Sequence, residues 1–285
     1  MSEWTIGIIG GSGLYEMEAL EEAQWIQVDT PWGPPSDALL IGRLHGVKFV
    51  FLPRHGRGHR IPPSEVNARA NVDALKRAGC TDLLAISAIG SLREELPPGR
   101  FVAVDQFVDR TFAREKSFFG PGLVAHVSMA DPICPRLSSL AAGAAEAAGA
   151  EVARGGTYLA MEGPQFSSRA ESELYRLWGC DVIELPYALI GMVTDYDCWR
   201  SGEEAVEVSQ VIAQLIANAG TARRMIEALA KSLPRERTPS PIDTNLDQAI
   251  ITAPAARDPA MLAKLDAVCR GWLQRQAARG PTGGS

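Results

Sequence analysis

The sequence has little of what would announce a metal centre, a disulfide frame or a membrane. Its five cysteines, Cys80, Cys134, Cys180, Cys198 and Cys269, are scattered without CxxC or CxxH spacing. An odd count so dispersed favours reduced thiols and argues against a zinc site, and no metal or cofactor is expected. No apolar run approaches the eighteen or so residues that span a bilayer, and the N-terminus shows neither a basic n-region nor a signal-like apolar stretch. The expectation is a cytoplasmic chain with no membrane partner. Net charge is −6, with no basic stripe interleaved with aromatics, which argues against extended nucleic-acid binding.

What is present is a large apolar complement, 46% of 285 residues, enough to bury a sizeable core in one domain covering 1–285. Strand-like runs at Ile6–Ile9, Leu39–Leu44, Val47–Leu52, Leu83–Ile89 and Phe101–Val108 alternate with helical patterns at Ser64–Ala78, Pro135–Ala148 and Ser167–Trp178. His45-Gly46 joins two of the strands as a hairpin, so the fold class is α/β with a mixed central sheet flanked by helices. A long helical pattern covers Glu203–Lys231. From about residue 234 prolines mark an irregular C-terminal extension, with a terminal helix over Pro259–Ala278.

Several strand ends carry chemistry. Gly10-Gly11-Ser12-Gly13 would let backbone amides and the Ser12 hydroxyl approach an anion, although a tight structural turn explains it equally well. Arg54 and His55, inside Pro53-Arg54-His55-Gly56-Arg57-Gly58-His59, suit an oxyanion, or else form a solvated basic loop. Ser87 and Ala88 end another strand, where ligands of α/β sheets tend to sit. Ser168 with Glu171 fits a capping box, and Phe166 just ahead of it is either core or a platform for a flat ring. The apolar run Leu189–Val193 leads into Thr194-Asp195-Tyr196-Asp197. Two carboxyls at a spacing of two would point the same way along a continuing strand, one holding a proton while the other accepts hydrogen bonds. The competing reading is that they cap the next helix.

Six blocks together resemble the trimeric purine nucleoside phosphorylases. They are Ile6–Leu14, Arg54–Arg57, Gly90–Glu95, Asp105–Thr111, Glu162–Glu171 and Thr194–Trp199, spread over Ile6 to roughly Leu229. By that resemblance Ser12, Arg54, His55, Ser87 and Ala88 match the phosphate site, Phe166 and Ser167 the base-stacking wall, and Asp195 and Asp197 the purine contacts. His126 and Val208 match positions around the 5′-substituent, the histidine reaching in from a neighbouring subunit of a homotrimer. The reaction implied is phosphorolysis of an N-glycosidic bond, with inorganic phosphate as co-substrate and Asp195 as the acid that protonates the leaving purine. Burial and the like charge of Asp197 would keep that proton in place.

Carboxylates opposite the exocyclic amino group favour a 6-aminopurine, and Val208 with Val211 suits a thioether over a free hydroxyl. A 5′-methylthio adenine nucleoside is therefore the expected substrate, in purine and methionine salvage. The alternatives are another base preference, or a phosphate and aminopurine binding protein without turnover. The last arises from one departure. After Val182-Ile183 the family carries a Met-Thr-x-x-Pro-Glu segment and a short helix, which cover the ribose and add a phosphate contact; here Glu184-Leu185-Pro186-Tyr187 follows at once.

Overall fold

A computed structural model of the protein describes residues 3–11, 13–185, 188–200 and 208–279, without the side chains of 208–211 and 279. The strands are β1 (Thr5–Gly10), β2 (Glu21–Ile26), β3 (Leu39–Leu44), β4 (Val47–Pro53), β5 (Asp82–Ser91), β6 (Phe101–Ala103), β7 (Gln106–Asp109), β8 (Val152–Arg154), β9 (Thr157–Ala160), β10 (Val182–Glu184) and β11 (Ile190–Asp195). The helices are α1 (Ala68–Arg77), α2 (Pro135–Ala147), α3 (Arg169–Leu177), α4 (Val208–Ser232), α5 (Pro259–Lys264) and α6 (Arg270–Arg279). The hairpin of β3 and β4 turns at His45 and Gly46, whose φ angles of 49° and 81° are the left-handed pair that matches strand twist.

β5 is the spine of a mixed sheet. Along one edge its first residues pair in parallel with β1, from Asp82 to Ala85, and beyond β1 lie β4, β3 and β2. Along the other edge it pairs in parallel with β11, from Ile86 to Gly90, and beyond β11 lie β6 and β8. β1 ends its pairing at Ala85, and β10 joins antiparallel only at Gly90 and Ser91, leading on to β9 and β7. A strand has two edges, and β11 holds one of them from Ile86 to Gly90. The edge that β1 leaves is therefore open at Ile86–Ile89, and its backbone groups need other partners.

One face of the sheet packs on α2 and α4 through Ile6, Ile8, Phe49, Ile86 and Met192 against Ala141, Ala145, Met225 and Leu229. The small residues of α2 let it lie close to α4. On the other face α1 sets Ala74 and Leu75 against Leu39, Val50 and Leu52. The C-terminal residues form a separate apolar cluster, in which Leu265, Cys269 and Trp272 pack on Leu123.

Three stretches differ from the sequence expectation. The run Phe101–Val108 is two strands, because β6 pairs with β8 and β11 while β7 pairs with β9, so the chain changes arms of the sheet at Val104-Asp105. The first helix begins at Ala68, capped by the Asn67 side chain on the Ala70 N–H at 3.1 Å, after a 3₁₀ turn at Pro63–Glu65. The terminal helix is broken between Lys264 and Arg270. Of the pattern expected over Glu203–Lys231, 203–207 lie outside the described residues. Among the described residues no helix is long and apolar enough to cross a membrane, and no group of three or more His, Cys, Asp or Glu is placed to hold a metal ion.

Candidate active site

The open edge of β5 is where the expected site residues gather. Arg54 follows β4 and turns inward, 8% exposed. One terminal nitrogen donates to the Ile86 carbonyl that β1 leaves free, at 2.8 Å, and the other to Ser87 Oγ at 2.7 Å. Its Nε donates to His55 Nε2 at 3.0 Å. All three acceptors are neutral, which leaves two of the five N–H donors of a guanidinium and a buried positive charge with no carboxylate in ion-pair contact among the described residues. A buried cation without a counter-ion is costly, and a bound anion would relieve that cost.

His55 enters differently from the expectation that it adds a second donor. Burial, with Arg54 beside it, lowers its pKa to about 4, so the ring is neutral. Because Nε2 accepts from Arg54, Nδ1 carries the proton and donates to the Ile61 carbonyl at 2.9 Å. Both ring nitrogens are used, and His59 stacks on the ring at 4.4 Å between centroids. His55 aims Arg54. Arg57 faces away, its guanidinium on Asp37 at 2.9 Å and over the Trp25 ring. Ala88 is half-buried next to Ser87. Ser12 lies outside the described residues, but its neighbour Gly13 is held by Arg223 of α4, which donates to the Gly13 carbonyl at 2.8 Å.

The paired aspartates lie where β10 and β11 both meet Gly90. The register of β11 shifts between Val193 and Asp195, a bulge that re-aims the last residue of the strand. A Cβ built on Gly90 would lie 3.3 Å from Asp195 Oδ1, 3.3 Å from Ile183 and 3.4 Å from the Cβ of Asp197, so only glycine leaves room for the pair without displacement. No helix starts at Cys198, and the capping reading of Asp195 and Asp197 fails. The strand also stops at Asp195. Asp197 has φ of 54° and folds back, its N–H donating to Asp195 Oδ1 at 2.8 Å, while Thr194 Oγ1 donates to Asp195 Oδ2 at 2.7 Å. Ser172 of α3 donates to Asp197 Oδ2.

Burial raises the pKa of both carboxyls against these donors, and the charge of Asp195 adds to the rise at Asp197. The like-charge contribution thus falls on Asp197, where the sequence reading put it on Asp195. Asn218, a buried residue of α4 that sequence reasoning passed over, donates to the Val193 carbonyl at 2.9 Å and so ties the helix to the strand end that carries Asp195.

The proposed base wall is Phe166 and Ser167. Phe166 is 69% exposed, available to a flat ring or a neighbouring chain, and Ser167 donates to Met161 Sδ at 3.3 Å. The Cys198 thiol donates to the Ser167 carbonyl at 3.1 Å, joining this wall to the aspartate turn. The capping box at Ser168 and Glu171 is formed as expected. His126 is exposed, and its N–H bonds to the Ala249 carbonyl at 2.9 Å. No hydrogen bond among the described residues ties it to Arg54 or Asp195. The side chains of Val208 and Val211 lie outside the described residues.

Ile183 and Glu184 are consecutive residues of β10, in unbroken parallel register with β9. Arg114 secures the exit, donating to the carbonyls of Leu185 at 2.7 Å, Met161 at 2.9 Å and Glu162 at 2.7 Å. This direct passage carries the Glu184 carboxyl to a place where the charges of Arg54 and of both aspartates act on it. Burial pushes it up to about 7, the Leu185 N–H and Arg54 pull it down, and Asp195 and Asp197 add to the rise.

Residues 5–231 match the model of the phosphorylase superfamily. An S-methyl-5′-thioadenosine phosphorylase of Cereibacter sphaeroides is 56% identical over 279 residues, covering 92% of this chain and 96% of that protein. One from Bradyrhizobium diazoefficiens is 54% identical over 284 residues, covering 94% and 98%. Since 92% of 285 residues is about 262, roughly 17 of the 279 aligned positions face a gap in this chain. Among solved structures, a methylthioadenosine phosphorylase sourced from an antarctic soil metagenomic library superposes with a TM-score of 0.88 at 40% identity, over 94% of this chain and 99% of that one. The Schistosoma mansoni enzyme in complex with adenine gives 0.75 at 37% identity, over 80% and 91%. Fold, open sheet edge and sequence agree, and the chain belongs to the phosphorylase superfamily.

Proposed function

We propose that the chain catalyses phosphorolysis of S-methyl-5′-thioadenosine to adenine and 5-methylthioribose-1-phosphate. The observation that carries this is the placing, along one strand edge, of a buried cation that has no carboxylate in ion-pair contact among the described residues and of two carboxyls whose pKa is raised. Phosphate would lie against the free donors of Arg54 and the hydroxyl of Ser87, with Ala88 and Ser12 beside it. The purine would lie on Phe166 and Ser167 with its imidazole edge toward Asp195 and its amino group toward Asp197.

As the glycosidic bond stretches, positive charge grows on the ribose and negative charge on the base. The phosphate dianion stabilises the first, and a proton from Asp195 neutralises the second. The bond from C1′ to the purine nitrogen breaks, a phosphate oxygen forms the new bond to C1′, and adenine leaves protonated. Val208 and Val211 would receive the methylthio group, together with His126 of a neighbouring copy in a homotrimer. The place of such a reaction is purine and methionine salvage in the cytoplasm.

The test is adenine release from methylthioadenosine by the purified chain, with and without phosphate, and with adenosine and inosine as competitors. Phosphate-dependent cleavage that favours methylthioadenosine supports the reading. The missing segment favours a second reading, a protein that binds phosphate and aminopurine without turnover; adenine binding with no cleavage at any phosphate concentration would establish it and overturn the first.

A further inference from the structure

Glu184 has no role in the chemistry above, yet the charges of Arg54, Asp195 and Asp197 all act on it. It ends β10 beside the open edge of β5, and its position follows from the chain passing straight from Ile183 to Glu184. Oε1 accepts the Leu185 N–H at 2.8 Å. The other oxygen makes no hydrogen bond to a described residue. The groups that face it are few. Arg54 comes from the end of β4 and attracts it, and Asp195 and Asp197 come from the end of β11 and repel it. Tyr158 of β9 lies near Arg54. His55 is neutral, and Glu162 is occupied by Arg114 and the N–H groups of Phe112 and Ala113. Among the described residues Arg54 is thus the one cation facing three carboxyls.

We propose that Glu184 gates the oxyanion pocket of Arg54: protonated, it leaves the pocket to a phosphate dianion, and ionised, it serves as the counter-ion of Arg54 and excludes phosphate. The inference rests on reading Arg54 as the phosphate site. Glu184 is the carboxyl best placed for this exchange. Asp195 and Asp197 are each engaged by hydroxyl or backbone donors, whereas Glu184 has a single backbone donor and an oxygen to spare. Its titration in the neutral range puts the gate where cellular pH can move it.

The experiment uses sulfate, a dianion across the whole range, so that the titration of phosphate itself does not intrude. Sulfate dissociation constants are measured by calorimetry from pH 5.5 to 8.5 for the natural chain and for Glu184→Gln. A one-proton gate weakens sulfate binding about tenfold per pH unit above 7, and Glu184→Gln binds tightly with no such slope. In case the variant does not fold, the natural chain is also titrated at pH 8 in two buffers of different ionisation enthalpy. Uptake of close to one proton per sulfate is expected there, and close to none at pH 5.5. Binding that is tight and independent of pH in the natural chain overturns the gate alone, as does an equal slope in Glu184→Gln. Absence of sulfate binding in both proteins at every pH, with adenine still bound, overturns the gate and the phosphate reading of Arg54 together.

Discussion

At the scale of single residues, the site depends on which charges are paired and which are left over. Arg57 and Arg54 are three residues apart in one glycine-rich loop, yet Arg57 is neutralised by Asp37 while Arg54 is buried among neutral acceptors. Only the second calls for an anion. Asp195 likewise differs from an ordinary surface aspartate because burial outweighs the two donors that favour its charge. Replacing Asp195 with Asn removes the transferable proton and keeps the shape. Turnover of methylthioadenosine is expected to fall by the ~10²–10⁴-fold that general acid catalysis is typically worth, with the KM for phosphate changed less than about threefold. Steady-state kinetics in both substrates checks this, and turnover within tenfold of the natural chain would remove Asp195 from its role.

At the scale of elements, the site exists because β1 stops pairing at Ala85 and β10 begins at Gly90. Helix α4 braces both ends of the opening, through Arg223 to Gly13 and Asn218 to Val193. Exchanging Asn218 for Leu removes one of two donors to the Val193 carbonyl, which keeps the Gly99 N–H at 2.9 Å, so the cost is that of one net hydrogen bond, about 0.5–1.5 kcal/mol. The expected result is a melting temperature lower by about 1–3 degrees and a larger loss in kcat than in KM for phosphate, because Asp195 is displaced while Arg54 is not. Thermal melts with kinetics on the same sample read both.

Much of this architecture is legible in the sequence. The His45-Gly46 turn, the Ser168 capping box and the apolar runs of β1, β4, β5 and β11 follow from local chemistry. Strand β2 does not, because Glu21–Ile26 is almost wholly exposed and has no apolar alternation to read. Asn218 and Glu184 were also out of reach. A polar residue in a helix and an acid after a short strand signal nothing until tertiary structure buries them. The glycine-rich loop around Arg54, by contrast, was recognisable as a basic cluster, although which of its charges are paired, Arg57 on Asp37 and Arg54 on neutral acceptors, needed the partners to be seen.

At the scale of the whole molecule, two buried titratable groups set opposite limits on stability against pH. Glu184 binds its proton more tightly folded than unfolded, with a pKa of about 7 against 4.5. Its ionisation therefore costs stability as pH rises from about 4.5 to 7, by on the order of 3 kcal/mol in all. His55 has the reverse sign, with a folded pKa of about 4 against 6.5. Its contribution is complete above 6.5 and is lost as pH falls toward 4. Glu184→Gln is expected to melt several degrees above the natural chain at pH 8, with the difference vanishing near pH 4.5. Calorimetric melts across that range decide it; equal melting temperatures at pH 8 would show that the Glu184 carboxyl is not held in a costly environment.

The strand β5 also works as a measuring rod. Ser87, bonded to Arg54, marks one end of the open edge and Gly90, beside Asp195, the other, three residues apart on one strand, which at about 3.3 Å per residue is roughly 10 Å. That length is set by covalent geometry and by the ladder to β11, and loop motion cannot alter it. A ligand that engages both ends must match it, so the size of nucleoside this cleft accepts is written into the repeat distance of the backbone, and one residue inserted between Ser87 and Gly90 would put the two ends out of gauge.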